Sequence, residues 1–254
     1  TGTALLTTDV DIVKFLEEQR DALNALSPSA LVEVLQQEQA LWEAGDPDQD
    51  HAITEGPIAE KLKSQIEGTF IDPGHPIPII TRSATRALYM TDIAGRLIAS
   101  IDHKPSFLHA QEPWWQGAFH KAVGQPFLSP IAFDPQLNTY TFTLALPIMD
   151  SLRYEAIGIL RRVYDVKEFF APSIETIRFG KTGHVMLIDS RGIVLSCPIL
   201  PTGTALSDPQ LIPLVTPMQA GWTSAPSDGH GGQDTSIIGF APLDNTSRIT
   251  QASS

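Results

Sequence analysis

The chain has 254 residues, 42% of them hydrophobic and 18% charged, a globular composition and not a disordered one. Seventeen Lys and Arg against 29 Asp and Glu leave a net charge of −12, which argues against nucleic acid and anionic lipid as partners. A single cysteine, Cys197, excludes an internal disulfide framework and any Cys-rich zinc or iron–sulfur site.

At about 100–200 residues per domain, the length allows one large domain or two small ones. From about Asp9 to Glu43 apolar residues recur at helical spacing, including Ile12, Val13, Leu16, Leu23, Leu35 and Trp42. Thr8 is the expected N-cap, with Asp11 as a loose capping-box partner. Pro28 should end or kink the first helix, and Ser27 or Ser29 should cap the second. Gly45-Asp46-Pro47-Asp48 should terminate it, and a third helical segment is expected near Ile58–Ile66.

Pro73, Pro76 and Pro78 mark an extended connector. Strands are then expected at Arg86–Thr91, Arg96–Ile101, Tyr140–Ile148 and Ala156–Tyr164, with Asp150–Tyr154 as a hairpin loop. Gln111–Val123 reads as a helix carrying Trp114, Trp115 and Phe119. A linking helix is expected at Ala171–Arg178. A second β-rich region follows, with strands at His184–Asp189, Ile193–Cys197 and Thr235–Pro242 and a short apolar stretch near Leu211–Val215.

No apolar run approaches the roughly 18–20 residues of a membrane span, and no basic flank opens a signal peptide. The start at Thr1 and the end at Ser254 suggest a piece cut from a longer protein.

One internal correspondence stands out. Met90-Thr91-Asp92-Ile93-Ala94-Gly95-Arg96-Leu97-Ile98 matches Leu187-Ile188-Asp189-Ser190-Arg191-Gly192-Ile193-Val194-Leu195 in kind. Each is a strand, an Asp-x-x-Gly turn and a strand. The Asp bonds back onto its own turn, and the Gly supplies positive φ. Two such hairpins about one small domain apart suggest a duplicated module.

A long N-terminal helix followed by two such hairpins resembles the double Cache sensor domain. The stretches Tyr89–Gly95, Glu112-Pro113-Trp114-Trp115, Leu144–Ile148, Gly158-Ile159-Leu160, Tyr164-Asp165 and Phe179–Asp189 carry the likeness in order and spacing. The likeness implies an α+β fold: a long N-terminal helix, then two tandem PAS-like modules, each a central antiparallel sheet flanked by helices. The expected division is an N-terminal helical region 1–67, a membrane-distal module 68–170 and a membrane-proximal module 171–254.

The likeness also implies a role. Such domains are extracytoplasmic, periplasmic parts of bacterial inner-membrane receptors. They bind a small molecule and pass a conformational change to a cytoplasmic output domain, most often a histidine kinase. Membrane contact would come only through flanking transmembrane helices absent from this chain, and a homodimer could form through the N-terminal helix. Sensing through the proximal module or a partner binding protein, in a chemoreceptor or diguanylate cyclase, is the alternative. A soluble enzyme has no motif to support it.

The family's amino-acid-binding members show an aromatic, an Arg, a Trp-aromatic pair and downstream Asp residues in the distal module. On that pattern the ligand-binding residues are Phe107, Glu112, Trp114, Trp115, Asp134, Tyr140, Phe142 and Asp165. Glu112 stands where the Arg is usual, which reverses a charge, so an amine or other small cation is the expected ligand. Plainer readings stand beside these. The tandem Trp, Tyr140 and Phe142 also suit a core, Asp134 a turn and Asp165 a helix cap, while Glu112 suits a solvated helix N-terminus.

No catalytic motif occurs. Gly180-Lys181-Thr182 lacks the upstream Gly of a phosphate loop, since residue 175 is Glu175, and no Gly-x-Ser-x-Gly is present. No cofactor or metal is expected. His103, His109 and Glu112 read more simply as a surface loop than as ligands, and His230 lies in a Gly-rich loop. Asn245-Thr246-Ser247 is a glycosylation sequon by pattern only.

Overall fold

The structure is a computed structural model that describes residues 5–67, 84–101, 105–217, 219–232 and 235–242. The Pro73–Pro78 connector, His103 and the Asn245 sequon lie outside the described residues.

Among the described residues, four complete helices precede the first strand. Helix α1 spans Val10–Asn24. Its cap is Asp9, not Thr8: Asp9 Oδ1 accepts from the backbone N–H groups of Asp11 and Ile12 at 3.0 and 3.1 Å. Thr8 Oγ1 donates instead to the Leu5 carbonyl. Helix α2, Pro28–Ala44, is capped by Ser27, and Pro28 opens it at a position where no N–H is needed. Gly45 ends it in the left-handed region at φ +73. Asp46 then caps a helix that the sequence reading missed, α3 at Pro47–Thr54. Helix α4 spans Pro57–Glu67.

The central sheet comprises β1 (Thr85–Asp92), β2 (Leu97–Ile101), β3 (Phe127–Leu128), β4 (Ala132–Asp134), β5 (Thr139–Met149) and β6 (Ala156–Asp165). Its order is β2-β1-β6-β5-β3, with β4 also on β5. Strand β1 runs antiparallel to both β2 and β6. Ile12 and Leu16 of α1 and Ala59 and Leu62 of α4 are fully buried against Leu88, Met90, Ala99, Ile157 and Leu160 of the sheet. That seam explains why α1 and α4 keep helical apolar spacing.

Helix α5 is shorter than expected, Pro113–Phe119. His120, Lys121 and Ala122 take left-handed φ of 45, 54 and 67, which turns the chain back. The turn is closed by Gly124 N–H to Phe119 O at 3.1 Å and Gln125 N–H to Ala118 O at 2.9 Å. Helix α6, Val166–Ile174, begins before the expected linking helix because Asp165 caps it.

Short pairs follow: β7 (Arg178–Phe179) with β8 (Gly183–His184), and β9 (Leu187–Ile188) with β10 (Val194–Ser196). The strand expected at His184–Asp189 is thus two pieces. Helix α7 spans Ile212–Val215, and β11 (Gly221–Ala225) pairs with β12 (Ser236–Phe240). Val194, Cys197, Leu206, Leu211 and Ala225 form the core of this part.

The chain divides into two compact units. Unit 1 holds the residues up to Pro130 and Thr143–Tyr164; unit 2 holds Ile131–Phe142 and the residues from Asp165 on. The repeated hairpin appears once in each. Asp92 Oδ1 accepts from the N–H groups of Ala94 and Arg96, and Asp189 Oδ1 from those of Arg191 and Ile193, all at 2.9 Å. Gly95 and Gly192 both have φ +76.

The correspondence extends beyond the turns. Leu97 N–H bonds Phe107 O, and Val194 N–H bonds Thr204 O, each at 2.8 Å. His109 N–H reaches Gly95 O, as Leu206 N–H reaches Gly192 O. The isolated bridges Arg96↔Leu108 and Ile193↔Ala205 complete the match. A constant displacement of 97 positions relates every pair, as a duplicated module requires.

Candidate functional site

A cluster of aromatic and charged side chains in unit 1 is built on β1, β6 and α5. Tyr89 of β1 and Arg161 of β6 are register partners across the sheet. Pro113 starts α5 and sends Trp114 back toward that face. The Arg161 guanidinium lies 5.1 Å from the Tyr89 ring centroid and 4.9 Å from that of Trp114, within cation–π range. It donates to Tyr89 Oη and, at 3.3 Å, to Thr143 Oγ1. Its Nε is buried without a partner. Among the described residues no carboxylate pairs with it, and burial pulls its pKa down to about 10.

The rings pack around this cation. Tyr89 stacks on His109 at 5.1 Å and meets Trp114 edge-on at 5.8 Å. Glu112 closes the cluster from the foot of α5. One oxygen sits 2.6 Å from His109 Nδ1, and the other accepts from Trp114 Nε1 at 2.5 Å. Burial works to raise the Glu112 pKa. The bonds from His109 and Trp114 outweigh it and hold the carboxyl below its ordinary value. His109 is 1% exposed, and its Nε2 has no partner.

The structure therefore brings Glu112 and Trp114 together, with both Glu112 oxygens engaged. The other expected residues lie elsewhere. Trp115 turns the other way: it stacks on Phe119 at 4.4 Å and donates to the buried Thr91 Oγ1 at 3.0 Å. Phe107 packs on Trp42 of α2 at 6.4 Å. In unit 2, Asp134 Oδ1 accepts from the N–H groups of Gln136 and Leu137, a turn. Tyr140 meets Phe133 edge-on at 5.4 Å, and Phe142 packs edge-on against Phe169 at 5.1 Å. Asp165 caps α6 through Glu168 N–H and accepts from Thr139 Oγ1, both at 2.9 Å.

Tyr89, His109 and Arg161 were missed as site residues. The available signal was Arg161-Arg162 inside an otherwise apolar strand, where a charge needs a reason to stay. A separate cavity of about 350 Å³ lies between the start of α1 and the β5–β6 loop, lined by Lys14, Glu17, Asp150 and Arg153 among others. It contains none of the residues above.

The helix-and-sheet architecture with a twice-repeated hairpin is that of a ligand-binding sensor domain. The Cache domain family model matches residues 12–250, and the chain belongs to that family. Cache domains of chemoreceptors and histidine kinases are extracytoplasmic sensor domains. No helix among the described residues is long and apolar enough to cross a membrane.

Solved structures with similar folds include the ligand-binding domain of the Pseudomonas aeruginosa PAO1 amino acid chemoreceptor PctC in complex with GABA. It is 15% identical, with a TM-score of 0.46 over 85% of this chain and 92% of that one. The Pseudomonas fluorescens chemoreceptor CtaA domain with L-alanine is 15% identical, with a TM-score of 0.43 over 91% and 90%. The extracellular domain of the putative histidine kinase rpHK1S-Z16 is 15% identical, with a TM-score of 0.44 over 83% and 89%. No curated protein matches the chain.

Proposed function

We propose that unit 1 binds a small molecule bearing a carboxylate or similar anionic group, and that Arg161 receives it between Tyr89 and Trp114. The observation that carries this reading is the half-buried guanidinium with an unsatisfied Nε and no carboxylate partner among the described residues. Leaving a buried donor unpaired costs about 1–3 kcal/mol. A bound carboxylate recovers that cost through charge-assisted bonds, and the ring faces take the apolar part of the ligand.

The amine or other cation expected from the sequence rested on Glu112 together with the acidic charge of the chain. Both Glu112 oxygens are taken by His109 and Trp114, so the open charge is positive. An amine fits as the second group of a zwitterion better than as the sole charge.

Ligand binding transmits a signal only where the ligand prefers one of two conformations. Helix α1 is the natural carrier, because Ile12 and Leu16 are buried against the sheet that bears Arg161. The full receptor in this proposal is a periplasm-facing sensor of an inner-membrane histidine kinase, with flanking transmembrane helices and pairing through the N-terminal helix. Its modules are 68–170 and 171–254, and the chain itself has no catalytic role.

Calorimetry of the purified chain against small carboxylates, zwitterionic amino acids and simple amines tests the reading. Carboxylate-bearing ligands should bind, and Arg161→Gln should weaken them at least tenfold, about 1.4 kcal/mol. Amine binding that survives Arg161→Gln and is lost in Glu112→Gln would overturn it.

A further inference from the structure

Unit 2 gathers its single cysteine and its two histidines at one point. His184 Nε2 and His230 Nε2 are 3.2 Å apart. Cys197 Sγ lies 3.8 Å from the first and 3.5 Å from the second. The three come from separate segments: β8, the residue just after β10 and the Gly-rich loop before β12. Cys197 is buried, part of the apolar core around Val194 and Leu206.

The surroundings of the other ring nitrogens favour one tautomer of each ring. His184 Nδ1 lies 3.3 Å from the Thr182 carbonyl, which can only accept, so Nδ1 carries the hydrogen. His230 Nδ1 lies 3.1 Å from Asp228 Oδ2, at ion-pair distance though off the hydrogen-bond line. A carboxylate there also favours hydrogen on Nδ1. With hydrogen on Nδ1, each ring turns an Nε2 lone pair toward the other, and those lone pairs repel unless a cation lies between them.

The sulfur is prepared in the same sense. The backbone N–H groups of Ile199 and Leu200 both point at Cys197 Sγ at 3.4 Å, a pair of donors suited to a thiolate. The loop holding His230 is also shaped. Asp228 Oδ1 accepts from His230 N–H at 2.9 Å, and Gly229 and Gly231 take φ of +85 and +93.

The spacing matches a metal site. With about 2.0–2.1 Å to nitrogen and about 2.3 Å to sulfur, tetrahedral coordination puts ligand nitrogens about 3.3 Å apart and nitrogen and sulfur about 3.6 Å apart. The observed 3.2, 3.5 and 3.8 Å surround those values. Holding the far nitrogen of each ligating imidazole on a carbonyl or carboxylate is the usual support of such a site.

We propose that His184, Cys197 and His230 bind one thiophilic transition-metal ion of the zinc(II) or copper(I) class. Two imidazoles and one thiolate occupy three positions, and the fourth stays open for water or a small ligand. The thiol gives up its proton as the metal–sulfur bond forms. The site lies wholly in unit 2 and does not depend on the Arg161 reading.

The test uses the purified 254-residue chain under reducing conditions. Titration with zinc(II) should give one-to-one binding, and cobalt(II) should give a thiolate-to-metal charge-transfer band. Copper(I) is titrated in parallel by competition with a chelator. Cys197→Ser should abolish the cobalt band, and His184→Gln or His230→Gln should each weaken binding at least tenfold. Circular dichroism of each metal-free variant checks that it folds. A wild-type chain that binds neither zinc(II) nor copper(I), or stoichiometric binding that survives Cys197→Ser and His230→Gln, would overturn the proposal.

Discussion

The two copies of the Asp-x-x-Gly hairpin share a backbone and differ in burial, so each is a control for the other. In unit 1, Asp92 is fully buried and Arg96 Nε meets its Oδ2 at 2.7 Å. Arg96 also reaches Glu38 of α2 at 2.9 Å and Gln19 of α1 at 3.1 Å. Arg96→Met leaves a buried carboxylate without its cation and cuts two helices from the hairpin. Removing one partner of a buried pair costs about 3–5 kcal/mol. In unit 2, Arg191 pairs with Asp189 at 2.8 Å but is 73% exposed. Arg191→Ala should cost no more than about 1 kcal/mol. At about 2–4 °C per kcal/mol, Arg96→Met should lower the unit 1 melting transition by about 6–20 °C. Calorimetry and urea unfolding measure both variants. Asp92→Asn added to Arg96→Met should recover part of the loss, since the orphaned charge is gone. A loss under 1 kcal/mol, or equal losses at Arg96 and Arg191, would refute the assignment of the cost to burial.

Three further outcomes are expected. The Glu112 carboxyl is held low in the fold, so its contribution to stability is present above the unfolded value of about 4.3 and lost as pH falls through the folded value. Melting temperature should therefore fall more steeply on acidification in the wild type than in Glu112→Gln, and parallel curves would remove Glu112 from the acid response. Gly180→Ala meets nothing within 4 Å and should cost only the left-handed penalty of about 1–2 kcal/mol. Gly95→Ala would place its Cβ 2.5 Å from Ala110 N and should cost clearly more in the same denaturation assay. Asp165→Ala removes the α6 cap and the Thr139 bond, and should destabilise unit 2 by about 0.5–2 kcal/mol in urea unfolding.

Local chemistry was enough to read much of this protein. Ser27 with Pro28 and the Gly45 stop each act within a few residues, so their outcome is written where they stand. The 97-residue repeat was legible for the same reason, since each Asp makes its bonds inside its own turn. Thr8 against Asp9 as cap, and the missed α3, show the resolution of such reading: neighbouring cap residues compete, and geometry chooses one.

The sites were another matter. Trp114 and Trp115 are adjacent and chemically equal, yet one covers Arg161 and the other fills a core under Thr91. Helical rotation separates neighbours by about 100°, and only the docking of α5 decides which faces the sheet. Glu112 read alone is a free anion; folded, it is spent on His109 and Trp114. Arg161 read alone is one of two arginines in a strand; the register with Tyr89 makes it a cation without a counter-ion among the described residues. His184, Cys197 and His230 have no spacing that a motif could catch, because three separate segments deliver them. Charge and burial are properties of the assembled neighbourhood, and only the tertiary structure supplies it.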